Sequence, residues 1–290
     1  MNIFPKTLLL STFMLIGLPV GSVRTKAQSQ TLPTAKETVR SDGSAIVAHR
    51  GYWNCEKGGF SPNSLASLRS AQEAGFWGSE FDINMTADGE ILVVHDSSID
   101  GKKIDQNPYS SFQDVRLKNG EPIPTLDQYL DQAEKYPTVL VLEVKWHSSW
   151  ELETKAIRHT MEKLKAHGLF DPARVIFISF SLSACRTLVA EAPGFTVQYL
   201  GNDRNPDAIA EYGINGIDTW YKTLLEDPAW YARARSHGMS INAWTVDGEE
   251  DMERLFRMGV DQLTTDRPDR ARQLLERIGI PEIKPQKAEN

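Results

Sequence analysis

Glu80 and Asp82 stand two residues apart in the run Gly78-Ser79-Glu80-Phe81-Asp82-Ile83-Asn84-Met85. In an extended strand that spacing sends both carboxylates to the same face. Two anions side by side on an inward face repel each other unless positive charge stands between them, so the pair points to a metal site. Asp88-Gly89 then turns the chain, and the apolar run Ile91-Leu92-Val93-Val94 delivers His95 at its end. A tight reversal at Asp88-Gly89 would set His95 roughly opposite Glu80 and bring imidazole and carboxylate into one pocket.

These residues need strands to carry them. Apolar strand candidates are Ala45–His49, Ser79–Ile83, Ile91–His95, Thr138–Val144, Val175–Phe180, Thr196–Leu200, Gly216–Asp218, Ser240–Val246 and Gln262–Thr265. The connection between the second and third is too short for a crossover helix, so one of them is expected to be a hairpin arm or a local irregularity of the barrel. Helix starts are marked by Asn205-Pro206 and Asp227-Pro228, and helix ends by Gly75, Gly168, Gly213, Gly238 and Gly259. This strand–helix alternation, with no glycine-rich nucleotide fingerprint after the first strand, favours an α/β fold of the single (β/α)₈ TIM-barrel type over an open doubly wound sheet. Residues 99–124, rich in proline and glycine, read as a long insertion on the barrel.

In such a barrel the C-terminal ends of the strands form the active site. Those ends collect His49-Arg50-Gly51, Glu80-Phe81-Asp82, His95-Asp96, Glu143-Val144-Lys145, Tyr199, Trp220 and Trp244. One strand-end histidine or one Glu-x-Lys is ordinarily structural, but three carboxylates, two histidines and two cations at one end call for a common purpose. Trp53, Trp146, Trp150, Trp220 and Trp244 fall near the same end, as an apolar wall or as loop packing. His159, His167 and His237 fall on helices or their ends and read as solvated. His147 follows Lys145 closely enough to be weighed as a lining residue without joining the set.

The chain has 290 residues and a net charge of −7. Lys6, the apolar run Leu8 to Leu18 and Ala27 read as an export signal over residues 1–27, too short to span a bilayer, with no cysteine nearby for a lipid anchor. A polar leader (28–44), the barrel (45–280) and a frayed tail (281–290) complete the expected organisation. No acid occurs in the first 27 residues, so removing them leaves a still more acidic protein. That balance argues against nucleic acid as a partner and against attraction to anionic membranes, and no stable membrane anchoring is expected. Cys55 and Cys185 are expected to be separate thiols, since a core of this size needs no bridge.

Read in order, Ala48-His49-Arg50-Gly51, Asn63-Ser64-Leu65, Glu80-Phe81-Asp82, Thr86-Ala87-Asp88-Gly89 with Val93-Val94-His95-Asp96, Glu143-Val144-Lys145, Ser179-Phe180, Trp244-Thr245-Val246 and Thr265-Asp266-Arg267-Pro268 resemble the motifs of glycerophosphodiester phosphodiesterases. The match runs from about Ile46 to Pro268. The resemblance implies a barrel, a divalent cation, and hydrolysis of a small-molecule glycerophosphodiester to glycerol phosphate and an alcohol. Carried over by position, it implies Glu80, Asp82 and Glu143 as metal ligands, His49 and His95 as the acid/base pair, Arg50 and Lys145 as phosphate holders, and Trp244 as a pocket residue. Pro62 stands where the family usually has glutamate, a departure expected to touch the loop's local network and not the metal. Three carboxylates also suit a hard cation, Ca²⁺ or Mg²⁺, better than zinc, for no cysteine or histidine cluster has zinc spacing. The competing readings are a barrel phosphodiesterase for a lipid or inositol diester, and a non-catalytic phosphodiester binder. The histidine pair argues against the binder.

Overall fold

The computed structural model describes residues 43–286. The expected signal, nearly all of the polar leader and residues 287–290 lie outside the described residues. Strands alternate with helices in chain order: β1 (Ser44–Ala48), α1 (Leu65–Glu73), β2 (Gly78–Met85), β3 (Ile91–Val93), β4 (Ser98–Ile99), β5 (Lys102–Lys103), α2 (Leu126–Ala133), β6 (Val139–Val144) and α3 (Trp150–Ala166). There follow β7 (Val175–Ser179), α4 (Leu182–Glu191), β8 (Thr196–Tyr199), α5 (Pro206–Ala210), β9 (Gly216–Trp220), α6 (Tyr221–Glu226) and α7 (Pro228–Ser236). The chain ends through β10 (Ser240–Trp244), α8 (Glu249–Met258), β11 (Gln262–Thr265), α9 (Pro268–Ile278) and β12 (Glu282–Ile283).

Strands β1, β2 and β6 to β11 are all parallel, and β1 pairs with both β2 and β11, which closes an eight-stranded barrel. Its helices start where the sequence marks them: Asn205 and Asp227 cap α5 and α7 ahead of a proline, and Ser64 and Thr125 form capping boxes at α1 and α2. Residues of alternate parity divide the interior. Phe81, Ile83, Leu140, Leu142 and Phe177 face outward into the core between strands and helices, while Val47, Val139, Val141, Ile176, Ile178 and Leu200 form a smaller apolar cluster in the lumen.

The ninth candidate strand is the hairpin arm: β3 pairs antiparallel with β2. The reversal is longer than a two-residue turn. Thr86 N donates to Glu90 O at 2.8 Å, Thr86 Oγ1 accepts from Glu90 N at 2.9 Å, and Gly89 sits at a φ of 95° that suits glycine. This register sets Val94 against Asp82, whose carbonyl accepts from Val94 N at 3.0 Å, so His95 falls one step short of the expected place opposite Glu80. The insertion is ordered around its own buried cluster of Leu92, Ile104, Phe112 and Ile123.

Glu282 and Ile283, expected in a frayed tail, form a strand instead. Pairing of β1 with β2 begins only at Val47, so the first residues of β1 present an open edge, and Glu282 and Ile283 pair there with Ser44 and Ala45. Arg272 holds Glu282 through two 2.8 Å bonds. Ser44, assigned to the leader from sequence, is thus the first residue of β1. Cys55 and Cys185 are free.

Candidate active site

The acidic centre follows from strand parity and register. Glu80 and Asp82 share the inward face of β2, and Asp82 is paired in register with Glu143 on β6. One carboxylate oxygen from each of the three lies within 4.8 Å of the others, and all three residues are buried.

Burial, together with the charges of Asp82 and Glu143, pushes the Glu80 carboxyl well above its usual range. Burial and the neighbouring Asp82 charge push Glu143 up to about 8. Asp82 is also buried, yet Lys145, Arg50 and the Asn63 amide outweigh that burial and lower it. Lys145 Nζ stands 2.7 Å from Glu143 Oε1 and 3.3 Å from Asp82 Oδ1, and these two acids keep it charged despite its burial. Lys145 thus bridges the two acids and hydrogen-bonds Glu143, one cation set against three buried carboxyl groups. Three buried carboxylates converging within this distance, with a single lysine between two of them, fit a hard divalent cation.

The loop after β1 is bent tightly against this centre. Arg50 has a φ of 55°, and its N–H donates to Glu80 Oε2 at 2.8 Å. At Gly51, with φ 80°, a Cβ would stand 2.4 Å from Ser67 Oγ, so only glycine fits. The Arg50 guanidinium reaches back, with Nε 3.6 Å from Asp82 Oδ2. Pro62 offers no carboxylate. The loop instead reaches the centre through Asn63, whose Nδ2 donates to Asp82 Oδ2 at 2.8 Å and whose Oδ1 accepts from Asp82 N at 3.3 Å.

Each histidine is oriented by an aspartate. His49 Nδ1 is 2.8 Å from Asp266 Oδ1, leaving Nε2 toward the acidic centre, 3.9 Å from Glu80 Oε2. His95 Nδ1 is 2.8 Å from Asp96 Oδ1. Trp53 Nε1 also donates to Asp266 Oδ1, at 3.0 Å. Burial alone would raise the Asp266 carboxyl, but the bond to His49 and its charge hold it below the usual range.

His49, Arg50, Glu80, His95, Glu143 and Trp244 all border one cavity of about 290 Å³ at the C-terminal end of the barrel, with Ile178, Phe180 and Leu200 on its far side. Lys145 borders an adjoining cleft that shares His95 and contains Trp146. A larger cleft of about 490 Å³ opens at the opposite end of the strands. It holds no comparable set of converging groups, and its Arg235 is bound to Asp261.

Other expectations are revised. Of the five tryptophans, only Trp244 borders the central cavity, while Trp150 is two-thirds exposed on α3, beside Thr154 and Arg158. His147 is structural: its Nε2 accepts from Met85 N at 3.1 Å and its Nδ1 donates to Lys145 O at 2.9 Å. His167 and His237 are held by carboxylates, Asp127 for the first and Asp207 at 2.7 Å for the second. His159 Nδ1 lies 3.3 Å from Gly89 O. Asn63, Asp96 and Asp266 lay in motifs without a stated task, and Asp218, on β9, was passed over.

Residues 49–270, well over half of the chain, match the glycerophosphoryl diester phosphodiesterase family. The chain belongs to this family. A crystal structure of a glycerophosphodiester phosphodiesterase from Parabacteroides distasonis superposes with a TM-score of 0.79 at 38% identity, over 83% of this chain and 100% of that one. A glycerophosphodiester phosphodiesterase from Caldanaerobacter subterraneus is 24% identical, over 81% of this chain and 98% of its own length. A phosphodiesterase of Oleispira antarctica, solved in complex with the product sn-glycerol-3-phosphate, shares the fold, with a TM-score of 0.70 at 22% identity over 81% of this chain and 97% of that one. Members of the family thus share the barrel at quite different levels of identity.

Proposed function

We propose that the chain is a metal-dependent glycerophosphodiester phosphodiesterase, hydrolysing small-molecule glycerophosphodiesters to glycerol phosphate and an alcohol. The observation that carries this reading is the meeting of His49, His95 and Arg50 with two of the three acids in one cavity. Glu80, Asp82 and Glu143 are the residues to hold Ca²⁺ or Mg²⁺. Such a cation would supply positive charge to the phosphoryl oxygens as the pentacoordinate transition state gathers negative charge.

The chain's own groups do the rest. Arg50, a planar fork, suits two phosphoryl oxygens at once, and Lys145 adds a second positive charge at the edge of the acidic centre. One histidine, through Nε2, takes the proton of the attacking hydroxyl, and the other gives a proton to the oxygen of the departing alcohol. Asp266 and Asp96 fix the ring that each presents. If the attacking hydroxyl is the substrate's own glycerol hydroxyl, a cyclic phosphate forms, and the two histidines exchange roles when water opens it. Attack by water in the first step gives glycerol phosphate directly, with no cyclic phosphate and no such exchange of roles.

The basic start, apolar run and small residue over residues 1–27 support export to the periplasm or medium. Among the described residues no helix is long and apolar enough to cross a membrane. Purified protein incubated with glycerophosphocholine and glycerophosphoethanolamine, with Ca²⁺, Mg²⁺ or chelator, should release glycerol phosphate, and the chelator should abolish the release. Equal release with and without chelator would refute the metal-dependent reading.

A further inference from the structure

The cavity has two chemically different walls. Strands β1, β2 and β6 bring the histidine, the arginine and the acids, whereas Ile178, Phe180, Leu200 and Trp244 make the opposite wall apolar. Asp218 interrupts that apolar wall. It projects from β9, which in the closed order β1-β2-β6-β7-β8-β9-β10-β11 lies diametrically across the barrel from β2. It borders the cavity while only 1% exposed, its Oδ1 has no hydrogen-bond partner, and no cation pairs with it among the described residues.

A buried carboxyl oxygen without a partner costs stability, so its presence on a cavity wall calls for a ligand group that completes it. Asp218 stands outside the acidic centre of Glu80, Asp82 and Glu143. Asn242, its partner in register, exchanges hydrogen bonds with Thr264 at 2.9 and 3.1 Å and also hydrogen-bonds the Asp218 carboxyl, which still leaves Oδ1 without a partner. Trp244 Nε1 takes the Asp218 main-chain carbonyl at 3.1 Å, which fixes the indole beside the acid. Phe180 meets Trp244 edge to face at 5.6 Å.

We propose that Asp218 is the specificity residue of the apolar wall, a buried carboxyl whose unpartnered oxygen meets a hydroxyl of the alcohol on the substrate's phosphorus. Burial drives its carboxyl well above the ordinary range, which leaves an O–H that both gives and takes a hydrogen bond. Phosphate held on the β1–β2–β6 side would direct one substituent across the lumen to this wall. The apolar surfaces of Trp244, Phe180 and Leu200 suit the carbon skeleton, and Asp218 is the acid set among them to meet its hydroxyl. The hydroxyl belongs either to the glycerol or to a polyol headgroup. This inference rests on the diester reading above.

The test compares kcat/KM of the wild type, Asp218→Val and Asp218→Asn on glycerophosphoglycerol and glycerophosphocholine. Loss of the bond should cost the valine variant about tenfold or more. A loss on both substrates identifies the glycerol hydroxyl, and a loss on glycerophosphoglycerol alone identifies the headgroup hydroxyl. The asparagine variant keeps a donor and an acceptor without charge, so it should stay within about threefold of the wild type. If the valine variant does not fold, the asparagine variant decides. A loss of tenfold or more in asparagine, or a valine variant as active as wild type on both substrates, overturns the proposal. A wild type inactive on both diesters strikes the functional reading instead. Titration with sn-glycerol 3-phosphate and propyl phosphate then tests the subsite by itself: tighter binding of the hydroxylated ligand supports it, and equal binding overturns it.

Discussion

His49 and Asp266 are 217 positions apart, yet their Nδ1 and Oδ1 atoms lie 2.8 Å from each other where β1 and β11 meet. Closure of the barrel makes this contact, since β11 must fold back beside β1 before Asp266 can reach the ring. The aspartate accepts from Nδ1–H and leaves the Nε2 lone pair facing the acidic centre.

Asp266→Asn should therefore damage turnover more than binding. An amide can donate to the ring as well as accept from it, which permits the wrong tautomer. We expect kcat to fall by roughly 10²-fold, the scale of a lost acid–base contribution, with KM within a few-fold of wild type. Metal stoichiometry, read by titration of the metal-free protein, should not change. A large loss of metal affinity with kcat preserved would show that Asp266 serves the acidic centre and not the imidazole.

His49→Ala and His95→Ala should each lower kcat by at least about 10²-fold while still binding the cation. The two histidines sit on different elements, β1 and the end of the β2–β3 hairpin, so neither substitution should disturb the other ring. Near-normal turnover in both variants would end the acid/base assignment.

The strand order, the hairpin and most of the site were legible because each depended on local pattern. Parity alone sends Glu80 and Asp82 inward, and the short connection before Ile91 leaves room only for an antiparallel arm. The register of that arm was not legible, since it depends on Thr86 bonding to Glu90 and not on the Asp88-Gly89 pair. The tail strand was missed for a different reason: the open edge of β1 results from barrel shear, which no local sequence records. Asp218 carried a usable signal, an acid closing the expected strand Gly216–Asp218 at an inward position, but the residue taken from that end was Trp220, two positions further on. Trp150 was misplaced because closeness in sequence to Lys145 does not say which way the first turn of α3 faces.

Removal of the cation should reverse the usual effect of acid on stability. Burial raises Glu80, and burial with repulsion raises Glu143 to about 8, so in the metal-free protein these carboxyls gain protons that the unfolded chain has lost. Their favourable contribution is complete below the unfolded carboxylate range and is lost as pH rises toward 8. Chelated protein should melt several degrees higher at pH 6 than at pH 8.5, and this difference should shrink when the cation is present. Metal affinity should weaken over the same interval as pH falls, because binding must expel those protons. Scanning calorimetry at both pH values checks this, and a chelated protein more stable at pH 8.5 would contradict it.

Asn63 combines a strained backbone with a bond to the metal centre, and two substitutions separate these contributions. Its φ of 58° lies in the left-handed region, and its side chain holds Asp82 through Nδ2 and Oδ1. Asn63→Ala loses the hydrogen bonds and leaves alanine in a conformation that disfavours it, for an expected loss of about 2–4 kcal/mol in urea unfolding. Asn63→Gly loses the same bonds but adopts the left-handed conformation freely, so it should recover about 1 kcal/mol of that loss. Both variants should bind the cation more weakly than wild type, because Asp82 Oδ2 has lost the amide that orients it. If glycine were no more stable than alanine, the backbone at Asn63 would carry no strain, and the bond to Asp82 would account for the whole cost.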